Sequence, residues 1–172
     1  MFTLVTGGLR SGKSGYALRR ASEYGPPPWL YVAQHVDGDQ ELKARLAGLR
    51  RDHESTWRPI EAPARLASVL EPETAAPYGG IVIDRFTAWV SNRLMALSDD
   101  AQVLAEIEQL ADRLYRSVTP AVLVTMETGL GIMPDGGPER RLTNVVGLAN
   151  QILAERAHSV VLMVSGVSLR LR

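Results

Sequence analysis

Near the N-terminus, the run Gly7-Gly8-Leu9-Arg10-Ser11-Gly12-Lys13-Ser14 fits G-x-x-x-x-G-K-[ST] at every fixed position. Glycines in such a loop let the backbone curl until its N–H groups converge, and converging N–H groups cradle phosphate oxygens. Lys13 adds a cation that reaches the β- and γ-phosphates, and the Ser14 hydroxyl is placed to ligate Mg²⁺. The expected chemistry is binding of a purine nucleoside triphosphate, ATP or GTP, with Mg²⁺, followed by phosphoryl transfer. Arg10 either touches a phosphate or faces solvent. A second carboxylate must hold the magnesium through water, and Asp84, at the end of the apolar run Ile81-Val82-Ile83, has the right setting. The same carboxylate is also suited to capping a helix that starts near Thr87.

These residues need particular elements around them. Phe2 to Thr6 is a short apolar run leading into the glycines, as in a buried parallel strand that ends at a functional loop. A helix starting at Gly12 and running over Ser14 to Tyr24 points its positive dipole end at the loop, and Gly25-Pro26-Pro27-Pro28 stops it. Trp29 to Ala33 reads as a strand. Leu42, Leu46 and Leu49 recur at helical spacing between Asp39 and His53, which predicts an amphipathic surface helix. Further on, Trp57 to Ile60 reads as a short strand and Ala64 to Leu70 as a short helix. A Pro- and Gly-rich loop is expected from Pro72 to Gly80, then a strand over Ile81 to Asp84. Helices follow over Thr87 to Leu97 and Asp100 to Ser117, the second capped by Ser98, Asp99 or Asp100. Ala121 to Thr125 is another strand, and a glycine-rich loop leads into a helix from Glu139 to Ala157. Val160 to Val164 and Val167 to Leu171, joined through Ser165-Gly166, predict an antiparallel hairpin. The pattern is α/β: a three-layer P-loop domain over residues 1–172, with a mostly parallel sheet and a C-terminal antiparallel pair.

Bulk composition narrows the function. Nineteen basic residues balance nineteen acidic ones, so no broad field draws the chain to nucleic acid or anionic lipid. The absence of cysteine excludes disulfides, thiolate metal sites and thiol nucleophiles, and fits a reducing compartment such as the cytoplasm. The opening apolar run is too short for a signal peptide, and no stretch approaches the ~20 apolar residues of a membrane span. A soluble protein is expected.

Taken in order, several stretches resemble one family, the adenosylcobinamide kinase and adenosylcobinamide-phosphate guanylyltransferase enzymes of cobalamin biosynthesis. They are Thr6 to Ser14, Tyr31-Val32-Ala33, Arg45-Leu46 with Trp57 and Glu61, and Ile83-Asp84-Arg85-Phe86-Thr87-Ala88-Trp89-Val90-Ser91-Asn92. Glu127 to Pro134, Gly147 with Asn150-Gln151, and Val164-Ser165-Gly166 complete the set. The resemblance implies a RecA-like P-loop fold, a trimer with sites near subunit interfaces, and two reactions on a corrinoid substrate. The first phosphorylates the aminopropanol hydroxyl of adenosylcobinamide with ATP or GTP. The second transfers GMP from GTP to that phosphate through a guanylyl-histidine. It also implies that Gly7 to Ser14 hold phosphate, that Asp84 takes the magnesium side, and that Glu61 lies along the nucleotide site.

The chain departs from the family where that histidine belongs. In the register of R-[IL]-x-x-H-[RK]-x-x-R-x-x-x-W the position is Leu49, which cannot form a phosphoramidate. His53, four residues on, is a candidate for a relocated nucleophile; the alternatives are a replacement for a phosphate-binding arginine or a solvated residue. His35 and His158 have weaker settings. Leu142-Thr143-Asn144 stand where the family has F-R-D, Leu148 where arginine is usual, and Met126 where asparagine precedes Glu127. The kinase step is therefore the expected activity, with guanylyl transfer in doubt. Alternatives are a nucleotide-binding paralogue acting as a switch, or a kinase of another small alcohol. Glu127 is suited either to substrate or magnesium contact or to capping the Gly129 loop.

Overall fold

The structure, a computed structural model, describes residues 1–34, 40–53, 56–131 and 135–172, and of residues 41 and 49–53 the backbone only. Seven strands form one sheet: β1 (Phe2–Gly7), β2 (Trp29–Ala33), β3 (Trp57–Glu61), β4 (Gly80–Asp84), β5 (Ala121–Val124), β6 (Ser159–Val164) and β7 (Val167–Arg170), in spatial order β3-β2-β4-β5-β1-β6-β7. All neighbours are parallel except β6 and β7, the expected hairpin. The four central strands β2, β4, β5 and β1 are covered on both faces, which is why β1, β4 and β5 read as unbroken buried runs.

The helices divide between the two faces. α1 (Lys13–Ser22) and α2 (Gln40–His53) pack Ala17, Ala21 and Leu42 against Val5, Tyr31, Val82 and Val122. α4 (Phe86–Ala96), α5 (Asp100–Arg116) and α6 (Gly137–Arg156) pack against the other face, over Leu4, Ile81, Ile83 and Leu123. Asp99 caps α5, its side chain accepting from the Ala101 N–H at 2.9 Å. Arg93 of α4 makes a two-pronged pair with Glu106 of α5 at 2.7 and 2.8 Å. Arg141 of α6 reaches Asp100 at 2.6 Å and donates to the carbonyls of Leu94 and Ser98, closing the exposed end of α4. These contacts hold α4 and α6 beside the C-terminal ends of β4 and β5.

Two expected elements differ. The helix expected over Ala64 to Leu70 is a 3₁₀ turn, Leu66–Leu70, bounded by i→i+3 bonds from Ser68 N to Arg65 O and from Glu71 N to Ser68 O. The expected loop from Pro72 to Gly80 contains a one-turn helix, α3 (Pro72–Ala75). Pro72 fits its first position because that N–H has no intrahelical partner. Ala75 is buried and its carbonyl accepts from Thr119 Oγ1 at 3.1 Å, so a tertiary contact sets a turn that composition alone marks as loop.

Candidate active site

The phosphate loop joins the end of β1 to the start of α1, the strand–loop–helix setting the motif needs. At Gly7, φ is 148°, and a Cβ would lie 2.3 Å from the Met163 carbonyl oxygen of β6, so only glycine lets the two strands meet there. Gly12, with φ 90°, forms the left-handed cap of α1. The β6–β7 turn braces the loop from behind: Gly166 N–H donates to Ser11 O at 3.0 Å. Lys13 Nζ lies 2.5 Å from Gly8 O and 3.4 Å from Ser11 Oγ, folded onto its own loop.

Asp84 ends β4, two strand positions from β1 with β5 between, a separation of roughly 10 Å at the usual strand spacing. It is 3% exposed and, among the described residues, held by three donors. Tyr31 O–H donates to Oδ2 at 2.7 Å, Arg45 of α2 donates to the same oxygen at 3.1 Å, and Arg85 N–H donates to Oδ1 at 2.8 Å. Burial first, and then the charge of Asp84, raise the Tyr31 phenol above its ordinary value, so it stays a donor. Since the folded state favours the neutral phenol, this contribution to stability is present below the unfolded value near 10 and lost as pH rises past it. Tyr31→Phe is expected to flatten the alkaline fall in urea midpoint above about pH 10. Removing Arg45 withdraws one donor from a buried carboxylate. Arg45→Ala is expected to cost about 1–3 kcal/mol, a melting temperature lower by about 2–10 °C.

The loop and Asp84 open onto one cleft of about 720 Å³. Leu9 to Gly15 form one wall, Arg45 and Asp84 another, and Thr87, Ser91, Asn92 and Met95 of α4 a third, with Thr125, Met126 and Leu142 closing it. The Thr87-Ala88-Trp89-Val90-Ser91-Asn92 stretch divides by helical phase. Thr87 and Ser91, one turn apart, face the cleft, while Trp89 is 2% exposed, stacks on Phe86 and donates to Pro63 O at 3.1 Å. Asn150 of α6 fixes the segment after β5, accepting from Thr125 Oγ1 at 2.8 Å and donating to Met126 O at 2.9 Å. Thr87 Oγ1 accepts from Met126 N–H at 3.1 Å.

Leu9, Arg10, Ser11, Gly12, Lys13 and Ser14 thus line one cleft with Asp84, and Gly7 and Gly8 lead into them from the end of β1. Glu61 does not join them: it ends the edge strand β3 and is exposed, four strand positions or roughly 19 Å from β1. Glu127 faces away from the cleft. Its Oε1 accepts from Gly129 N–H at 3.1 Å, the capping role, and its N–H donates to Gly7 O at 3.1 Å. His158 lies at the opposite end of the sheet, stacked on Tyr115, its Nδ1 accepting from Phe2 N–H at 3.1 Å. His35, Ile132-Met133-Pro134 and the side chains of Leu49 and His53 lie outside the described residues. Sequence reasoning assigned no role to Tyr31 or to Arg45 at Asp84, a meeting that depends on β2 lying beside β4. No group of three or more His, Cys, Asp or Glu that could hold a metal alone occurs among the described residues. No described helix is long and apolar enough to cross a membrane.

Comparison with known proteins agrees with this geometry. The model of the family described as cobinamide kinase / cobinamide phosphate guanyltransferase matches residues 3–171. The chain is 38% identical to the bifunctional adenosylcobalamin biosynthesis protein CobP of Pseudomonas aeruginosa, covering 100% of this chain and 98% of that one. It is 33% identical to the corresponding protein CobU of Salmonella typhimurium, covering both chains in full, 100% each. A Pyrococcus horikoshii OT3 protein shares the fold alone, at TM-score 0.60 and 9% identity over 98% of this chain and 84% of that one. With a match from β1 to the end of the last hairpin, the chain belongs to the cobinamide kinase / cobinamide phosphate guanyltransferase family.

Proposed function

We propose that this chain phosphorylates the aminopropanol hydroxyl of adenosylcobinamide with ATP or GTP, and that this is its principal reaction. The observation that carries the reading is the meeting of an intact phosphate loop and the buried Asp84 in one cleft of about 720 Å³, large enough for a nucleotide. Loop N–H groups and Lys13 bind the phosphates and stabilise the charge that spreads over the γ-phosphoryl oxygens as it transfers. Mg²⁺, when bound, supplies positive charge across the β- and γ-phosphates. The donor set suits it: Ser14 lines the cleft, and a carboxylate has about four acceptor positions, of which Asp84 has given three to Tyr31, Arg45 and Arg85. Ser14 and Asp84 would hold the ion, Ser14 through its hydroxyl and Asp84 through water. Thr87, Ser91 and Asn92 offer hydrogen bonds to the incoming alcohol side.

Transfer of GMP through a guanylyl-histidine lacks its nucleophile at Leu49, so the chain keeps the kinase half of the family's chemistry more firmly than the other half. His53 is the remaining candidate on α2. The test is to incubate the protein with cobinamide, Mg²⁺ and ATP, then with GTP, and to identify the corrinoid product by mass. Cobinamide phosphate from either nucleotide supports the reading. Nucleotide binding and slow hydrolysis with cobinamide unchanged would overturn it in favour of a switch-like protein.

A further inference from the structure

On the far side of the Thr125-to-Thr128 segment from the nucleotide cleft lies a second cavity, of about 740 Å³. It runs between α6 and the sheet face formed by Leu4, Thr6, Val160 and Leu171. Two features show that the protein keeps this space without using it. Thr6 is 7% exposed, lines the cavity, and its Oγ1 has no hydrogen-bond partner among the described residues. A buried hydroxyl left so is costly unless something else bonds it. Gly147 sits in the interior of α6 and also lines the cavity. Glycine is the poorest helix former after proline, yet a Cβ added there would meet nothing within 4 Å, so no contact inside the protein demands it.

The chemistry of the walls defines the occupant. Leu4, Val160, Leu148 and Leu171 are apolar, Asn144 and Gln151 bring amides, and Glu127 is the one ionisable group among the described lining residues, already bonded to Gly129 N–H. Such a cavity takes an uncharged, largely apolar molecule bearing amides or hydroxyls. It adjoins the phosphate loop: Glu127 N–H donates to Gly7 O, and α6 gives Leu142 to the cleft and Thr143 and Asn144 to the cavity.

We propose that the cavity between α6 and the β1–β6–β7 face is the docking site for the acceptor, taking an amide-bearing edge of the corrin ring while its alcohol arm crosses to the nucleotide cleft. This rests on the reading of the chain as a cobinamide kinase. Thr6 Oγ1 and the Asn144 and Gln151 amides meet primary amides of the ring periphery, and Gly147 leaves room for the ring edge.

Equilibrium dialysis of the full chain with dicyanocobinamide tests the assignment, with ATP affinity and melting temperature measured on the same samples. Gly147→Ala is expected to melt higher than the native chain, because alanine favours the helix. Gly147→Leu is expected to stay folded, keep its ATP affinity, and bind cobinamide at least about tenfold more weakly, since the added side chain fills the cavity. Thr6→Val, of equal volume, is expected to weaken cobinamide about three- to tenfold. Cobinamide affinity unchanged in both Gly147→Leu and Thr6→Val would overturn the assignment. So would unchanged affinity combined with an altered assembly mass, which would make this face a contact between copies. If the native chain binds ATP but no cobinamide, the kinase reading itself fails, and the cavity assignment with it.

Discussion

Lys13→Ala is expected to lower kcat/KM for ATP-dependent phosphorylation of cobinamide by about 10²–10³-fold, the range found when one donor to a developing anion is lost. Lys13 is the first residue of α1, and its ammonium lies against Gly8 O and Ser11 Oγ. Those partners are neutral oxygens of the loop, so a triphosphate entering the cleft exchanges them for anionic ones. The gain is largest in the transition state, where charge moves onto the oxygens nearest the ammonium. Lys13→Arg is expected to rescue little, because a planar guanidinium is a poor substitute for a compact ammonium inside a closed loop. Initial rates with each nucleotide check this. Melting temperature should move by no more than a few degrees, since Lys13 is half-buried at a helix start, outside the apolar core.

The second large effect is a gain. Leu49→His is expected to introduce acid-labile, alkali-stable label from α-labelled GTP into a protein that otherwise takes none. Position 49 lies one helical turn beyond Arg45 on α2, about 6 Å along the axis, and Arg45 reaches Asp84 at the cleft. An imidazole nitrogen there attacks the α-phosphorus, forming a P–N bond as the bond to pyrophosphate breaks. An acceptor phosphate oxygen then displaces the imidazole. His53 is two turns from Arg45, about 12 Å along the axis, and near-attack geometry does not tolerate such a displacement without a different approach of the nucleotide. Label in the native chain that vanishes in His53→Ala would assign the nucleophile to His53 and make the chain bifunctional.

The parts legible in the sequence were those in which chemistry and neighbours lie close along the chain. Gly7 to Ser14 form their loop locally, and buried strands such as Ile81 to Asp84 announce themselves by unbroken β-branched runs. The hairpin through Ser165-Gly166 was readable for the same reason, although its second role, bracing Ser11, was not. What stayed hidden depends on strand order. Tyr31 and Arg45 stand 53 and 39 residues before Asp84 and meet it because β2 pairs with β4 and α2 brings Arg45 to the end of β4. Glu61 illustrates the converse: its place in a family pattern says nothing of β3 being the outermost strand, and in this structure it stands outside the cleft. α3 was missed because one buried alanine and the Thr119 hydroxyl, rather than local propensity, hold that turn.

The most direct test of the account is a parallel incubation of the native protein and cobinamide with GTP labelled at the γ-phosphorus or at the α-phosphorus. The account predicts γ-label in the corrinoid, lost in Lys13→Ala, and no acid-labile α-label on the protein. A corrinoid that never acquires γ-label, from GTP or from ATP, while the protein binds either nucleotide, would contradict it.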